Sequence, residues 1–351
     1  MTLTYARLQH FRSYSDGSFE FDPGVNIIVG PNASGKTSLI EAVIVGLQGS
    51  SFKARDTELL QHGADWARVD LGFEGSLRVC KWQYQQDKLT KTFDIDNNPY
   101  KRLSHQKTEP VVLFEPNHLL LLHGSPELRR SFLDDLISQL KPDFASIRRH
   151  YKRVLTQRNA LLKQHHQPST DQLFVWSLRL SELGGRIVAE RVNILEQFNE
   201  VMSELYSTIA GNETSVTLQY NSLLPTSNYE TKLLHKLEQN IARDHMVGFT
   251  TFGPHREDIE ILLNNQPASQ TASRGEVRTL LLALKMLEAQ FIEEARGKKP
   301  ILLFDDVFSE LDGKRRQALV GFLKPYQSII TTTDADVVVG HFSERANILA
   351  L

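Results

Sequence analysis

The sequence predicts an α/β protein: a parallel-sheet head with an antiparallel β subdomain, interrupted by an inserted helical lobe. Three observations carry that expectation. An apolar strand runs through a glycine-bounded loop into a helix over residues 25–47, a meander of alternating strands follows over 68–95, and strand and helix alternate again only after a mostly helical stretch over 104–245.

Val25-Asn-Ile-Ile-Val29 is a short apolar run of the kind a buried strand needs. Beyond the loop, apolar residues at 39, 40, 43, 44 and 47 recur with helical spacing, so Thr37 to Leu47 forms a helix. Residues 68–73, 77–82 and 90–95 alternate at period two, with turn residues such as Asp96-Asn-Asn-Pro99 beside them, which predicts an antiparallel meander. Within 104–245, Gly and Pro fall mainly at segment edges such as Gly124-Ser-Pro126 and Lys141-Pro142, and the segment Gln164 to Asp171 reads as a polar loop. No heptad pattern lasts long enough for a coiled-coil arm. Pro300 to Phe304 and Ser328 to Thr331 read as buried strands of the returning head. The expected domains are 1–103 with 246–351 as the head, and 104–245 as the lobe.

Charge is nearly balanced over the 351 residues, 40 Lys and Arg against 42 Asp and Glu, so a polyanion site has to be local and a polybasic protein is excluded. Cys80 is the only cysteine, which excludes an internal disulfide framework and a cysteine metal cluster. The chain starts without an apolar signal core, and no run approaches the roughly 18 apolar residues of a membrane span. A cytoplasmic protein with no membrane partner is expected.

Gly30-Pro-Asn-Ala-Ser-Gly-Lys-Thr37 matches G-x-x-x-x-G-K-[ST] between a strand and a helix, the context that motif requires. Its glycines let the backbone curl so that several N–H groups face one phosphate, Lys36 reaches the β and γ oxygens, and the Thr37 hydroxyl ligates Mg²⁺. The candidate ATP-binding set is Gly30, Pro31, Asn32, Ala33, Ser34, Gly35, Lys36, Thr37 and Ser38. The alternative is a strand-to-helix turn that is glycine-rich by accident.

A phosphate cradle needs a metal partner. Ile301-Leu-Leu-Phe-Asp-Asp306 supplies an apolar strand with a carboxylate at its end, so Asp305 is the candidate magnesium ligand and Asp306 the residue beside the attacking water. Many such ATPases have Glu at the second position, and the shorter Asp306 predicts slow hydrolysis. Alone, the two acids could be a solvated loop start.

Ser273 with Glu276 forms a capping box that opens a long amphipathic stretch, leaving free N–H groups for an anion. By itself this is only a well-capped helix. Cradle, helical insertion, Ser-x-Gly-Glu helix, metal strand and then Ser309-Glu-Leu-Asp312 is, however, the order of the ABC-type P-loop ATPases. In that class Ser273, Arg274, Gly275 and Glu276 complete the site of a second subunit, so ATP is buried between two copies and both touch its γ-phosphate.

The motifs resemble one family closely. Leu8-Gln-His-Phe-Arg-Ser-Tyr14, Ser51-Phe-Lys53, Phe114-Glu-Pro116, the segment Gly124 to Asp134, Gly253-Pro-His-Arg-Glu-Asp258, Ser273 to Glu276 and Asp305 to Asp312 look like the RecF family of bacterial recombination mediators, relatives of the SMC heads. The resemblance spans nearly the whole chain. It implies ATP-dependent homodimerisation on DNA, with preference for duplex beside a single-stranded gap, and cooperation with RecR and RecO to load RecA. It also implies a role for Ser309 and Asp312 in the loop after the metal strand, and for Thr333 or Asp334 as the γ-phosphate sensor. Val277 stands where the family usually has Gln, and Lys53 where Arg is common.

The DNA candidate lies in the lobe. Between Lys141 and Lys163 seven basic residues face one acid, Asp143. Phe144, Ile147, Tyr151, Val154, Leu155 and Leu162 recur at helical spacing and leave Arg148, Arg149, Lys152 and Arg153 on the opposite face, with Arg158 included in the candidate set. A solvated face paired with acids elsewhere is the alternative. His255 reads as a packed, hydrogen-bonded histidine, His165 and His166 as loop residues, and Trp66, Trp82 and Trp176 as core or partly buried. Two other functions compete: a transporter motor domain, which would carry a His switch where this chain has Thr331-Thr-Thr-Asp334, and a DNA scaffold that holds nucleotide without turnover.

Overall fold

A computed structural model describes residues 2–164, 170–308, 311–333 and 346–351. The chain divides into two compact units, Met1–His118 with Arg278–Leu351, and Leu119–Val277.

In the first unit, a five-stranded parallel sheet runs in the order Asn347–Ala350, Val25–Val29, Ser328–Thr332, Ile301–Asp305, Val111–Phe114. A six-stranded antiparallel sheet orders Tyr14–Glu20, Leu3–Phe11, Trp66–Phe73, Ser76–Gln85, Lys88–Ile95 and Asn98–Tyr100. The helix Lys36–Gln48 packs between them. Ten of its residues, including Leu39, Ile40, Val43, Ile44 and Leu47, are buried, because a helix covered by a sheet on each side needs apolar residues nearly all round. Leu8, Val69 and Trp82 of one sheet and Ile28, Leu303 and Ile329 of the other join it in one core.

The expected strands and the meander are present, with Val69 opposite Cys80 and Cys80 opposite Phe93. The domain division falls later than the sequence suggests, at 119 and 277 instead of 104 and 245. Val111–Phe114 explains the first shift, since it pairs in parallel with Ile301–Asp305 and closes the head's sheet.

The second unit is built on the helix Thr170–Ala210, which packs against Phe144–Leu162 and Tyr229–Gln239. It is not all helical. Val216–Asn221, Asp258–Leu263 and Gln266–Pro267 form a three-stranded antiparallel sheet, and pairing of the first two draws residues expected in the head into this unit. No helix among the described residues is long and apolar enough to cross a membrane.

Candidate active site

Val25–Val29 delivers the phosphate loop to the start of the helix Lys36–Gln48. Ala33 at φ 66° and Gly35 at φ 105° are both left-handed, and the pair curls the backbone around the helix end. A β-carbon on Gly30 would lie 2.6 Å from Ser34 Oγ, so only glycine lets the loop close here. The helix's first turn holds no acid, leaving its positive end open to an anion. Lys36 is buried, and its Nζ donates to the carbonyls of Gly30 (2.8 Å) and Pro31 (2.9 Å).

The parallel sheet sets the metal side. Ser328–Thr332 lies between the phosphate-loop strand and Ile301–Asp305, so three strands end together. Thr37 Oγ1 donates to Asp305 Oδ1 at 3.1 Å, and Thr331 Oγ1 donates to the same oxygen at 2.9 Å. The Asp306 N–H donates to Thr331 Oγ1 at 3.0 Å, holding Asp306 at φ 57°. A left-handed non-glycine residue beside a reacting site is where stored backbone strain tends to sit. Thr331 therefore ties the Asp305 carboxylate to the Asp306 backbone, a role the sequence did not separate from its neighbours Thr332 and Thr333. Thr333 is exposed, while Asp334 and Ser309 lie outside the described residues.

Two further features flank the loop. Arg12 makes a two-pronged contact to the buried Glu41, Nε–Oε2 2.7 Å and Nη2–Oε1 3.0 Å, and Ser51 Oγ donates to the same carboxylate. A cavity of about 440 Å³ lined by Arg12, Ser13, Ser38, Glu41, Lys53 and Glu58 opens beside them. Glu115, from Phe114-Glu-Pro116, is pushed up from the usual carboxylate range by burial, and the charge of Asp305 adds to the shift.

These groups fit a magnesium nucleotide. Ser34 Oγ is buried without a hydrogen-bond partner among the described residues, the loop has no room for a β-carbon at Gly30, and its charged donor is Lys36. Among the described residues no cluster of three His, Cys, Asp or Glu could hold a metal alone. A hydroxyl and one carboxylate suit Mg²⁺, which takes its remaining ligands from phosphate and water.

The helix Arg274–Arg296 carries the expected cap: the Ser273 N–H donates to Glu276 Oε2 at 2.7 Å, and the Glu276 N–H donates to Ser273 Oγ at 3.3 Å. Asp312 caps the helix Gly313–Leu323 by accepting from the Arg315 N–H at 3.1 Å, and Arg315 Nε donates to Thr279 Oγ1 at 2.7 Å.

A family model described as RecF/RecN/SMC N terminal domain matches residues 2–343. The DNA replication and repair protein RecF of Gloeothece citriformis is 32% identical over 379 residues, covering 100% of this chain and 98% of the relative. The chain belongs to the RecF family. The RecF of Streptococcus suis strain 05ZYH33 is 34% identical over 351 residues, covering 96% of this chain and 94% of its own. A solved structure of the recombination mediator RecF with ATP, in the RecFOR pathway, is 30% identical with a TM-score of 0.84 over 95% of this chain and 93% of that one. An Smc head bound to the C-winged helix domain of ScpA, 16% identical with a TM-score of 0.53 over 97% and 92% of the chains, shares the fold. The fold is thus an ABC-type P-loop ATPase head with an antiparallel β subdomain and a helical lobe, and the chain is of the ATPase class.

The structure corrects the DNA candidates. Arg158 is fully buried: Nη1 donates to Asp244 Oδ2 at 2.8 Å and Thr250 Oγ1 at 2.7 Å, and Nε to Ser177 Oγ at 3.1 Å. It cannot reach a phosphate backbone. Arg148 is engaged with Asp134 (3.2 Å) and Asp135 (2.7 Å), which leaves Arg149, Lys152 and Arg153 as the exposed stripe. The register could have shown this, because Phe144, Ile147, Tyr151, Val154, Arg158 and Leu162 recur as one buried helical face. Trp66 is 40% exposed and stands edge-on to His10, so of the two readings, core or partly buried, it takes the second. His255 is packed as expected: Nε2 lies 3.2 Å from the Thr250 carbonyl and Nδ1 2.7 Å from the Tyr151 hydroxyl. His165 and His166 lie outside the described residues.

Proposed function

We propose that this chain is an ATP-dependent recombination mediator that pairs with a second copy around ATP, grips DNA beside a gap, and releases it on slow hydrolysis. The observation that carries the reading is the convergence of Lys36, Thr37 and Asp305 at one end of the parallel sheet, beyond the two strands that flank Ser328–Thr332. Bound Mg²⁺ would be held by Thr37 and Asp305 and would offset charge on the β and γ phosphates. Lys36 neutralises phosphate oxygens by exchanging its carbonyl partners for them. Asp306, set by Thr331, orients the water that attacks the γ-phosphate.

Ser273 of the partner subunit completes each site. Its capped helix start presents the positive end of a helix dipole, which favours the γ-phosphate of the opposite site. ADP lacks the γ-phosphate that both copies touch, so hydrolysis loosens the pair. The exposed Arg149, Lys152 and Arg153 make phosphate contacts that position the protein without reading sequence. RecR and RecO are the partners through which RecA is loaded.

Solution mass with ATP, with ADP and without nucleotide, in the presence and absence of gapped duplex, tests this. A dimer with ATP alone, retained on DNA and lost with ADP, is expected. A chain that stays single with ATP, or hydrolyses equally well at high dilution, refutes it.

A further inference from the structure

Tyr14 carries a donor without an acceptor. Its hydroxyl oxygen is buried and meets no hydrogen-bond partner among the described residues, a state that folded proteins avoid unless something else fills the vacancy in the bonding pattern. The ring has little freedom. It stands edge-on to Phe19, centroids 5.5 Å apart and planes at 77°, and a β-carbon on Gly17 would lie 2.9 Å from Tyr14 Cδ1. Glycine at 17 is what lets the ring settle this low.

That position sets the hydroxyl against the phosphate loop. A β-carbon on Gly35 would lie 2.7 Å from Tyr14 Oη and 3.0 Å from Ser13 Oγ. Gly35 immediately precedes Lys36 and Thr37, so the hydroxyl adjoins the stretch whose N–H groups turn toward phosphate. Ser34 Oγ, one residue before Gly35, is likewise buried without a partner. Two orphaned hydroxyls thus flank one glycine. Burial pushes the Tyr14 phenol up to about 12, so it keeps its proton and remains a donor. Phosphate oxygens only accept, and a donor with no internal acceptor is their complement.

We infer that Tyr14 is a nucleotide-positioning residue whose hydroxyl donates to a phosphate oxygen of the nucleotide held by Gly30 to Ser38. The inference rests on the ATP reading of that loop. Tyr14 would come prealigned by Phe19 and Gly17, so the bond forms without ordering a mobile side chain.

Tyr14→Phe removes the hydroxyl and keeps the ring. Equilibrium affinity for a fluorescent ADP analogue, and for ATP by competition, is expected to fall about tenfold, equivalent to about 1.4 kcal/mol. KM for ATP rises while kcat changes by less than about twofold. The melting temperature without nucleotide stays the same or rises, because the variant loses an unpaired buried polar group. That opposite sign separates positioning from a structural role. Unchanged affinity, or a parallel fall in melting temperature, overturns the inference while leaving the ATP reading standing. Failure of the wild-type chain to bind ATP overturns both.

Discussion

Thr37 and Asp305 meet side chain to side chain, Oγ1 to Oδ1 at 3.1 Å, although 268 positions separate them in the chain. The hydroxyl at the start of the helix Lys36–Gln48 and the carboxylate at the end of Ile301–Asp305 are brought together by strands that share a sheet with Ser328–Thr332 between them. Such a pair is arranged for a cation before one arrives.

Asp305→Asn keeps the shape and removes the charge. ATP hydrolysis is expected to fall by more than about 100-fold, with the magnesium concentration for half-maximal activity raised. Nucleotide affinity measured in EDTA changes by less than about threefold. An unaltered magnesium requirement would show that the carboxylate does not serve the metal.

Asp306→Asn tests the neighbouring acid. Loss of a group that orients water costs on the order of 100-fold in single-turnover hydrolysis. ATP-driven pairing persists and outlasts that of the wild type, read as the lifetime of the dimer after dilution. The wild-type rate itself is expected below about 10 s⁻¹, an ordinary enzyme median.

Arg158 and the exposed stripe separate by phenotype. Arg158→Ala leaves Asp244 buried and unpaired, both side chains having been 0% exposed, and is expected to destabilise the fold by about 3–5 kcal/mol in urea titrations. Arg149→Ala with Arg153→Ala leaves the melting curve in place and lowers the salt slope of DNA binding by about two. A double variant with wild-type affinity and slope removes the stripe from the DNA path.

His255 gives the helical unit a pH dependence. Burial, with the charges of Arg256, Arg130 and Arg158 adding to it, lowers its pKa from 6.5 to about 4. The unfolded chain therefore takes up the proton first as pH falls. The contribution is complete above the unfolded value and is lost as pH drops through about 4, on the order of 3 kcal/mol in all. In His255→Gln the stability deficit relative to wild type should shrink by that amount between neutral pH and pH near 4. A constant deficit would mean that the histidine titrates normally in the folded state.

How much was legible in the sequence depends on how locally each feature is determined. The phosphate loop, the metal strand and the Ser273–Glu276 cap each depend on a few consecutive residues, and all three stand where their spacing puts them. Arg158 failed that test because its partners Asp244 and Thr250 come from far along the chain. Net basic composition over Lys141 to Lys163 concealed a helix whose buried face happens to include one arginine. Val216–Asn221 was missed for a similar reason, since its pairing with Asp258–Leu263 is set across a long separation. Thr331 sits in a run of three threonines, and only the strand's register selects the one that reaches Asp305.

Lys36 does not begin in bulk solvent. Its ammonium already leans on two neutral peptide oxygens, those of Gly30 and Pro31. A triphosphate that enters the loop therefore exchanges weak acceptors for strong ones, and much of the cost of stripping water from the cation was met when the chain folded. Each round of turnover then resets the loop to the same self-bonded state, so the departing product competes with the protein's own backbone for its cation.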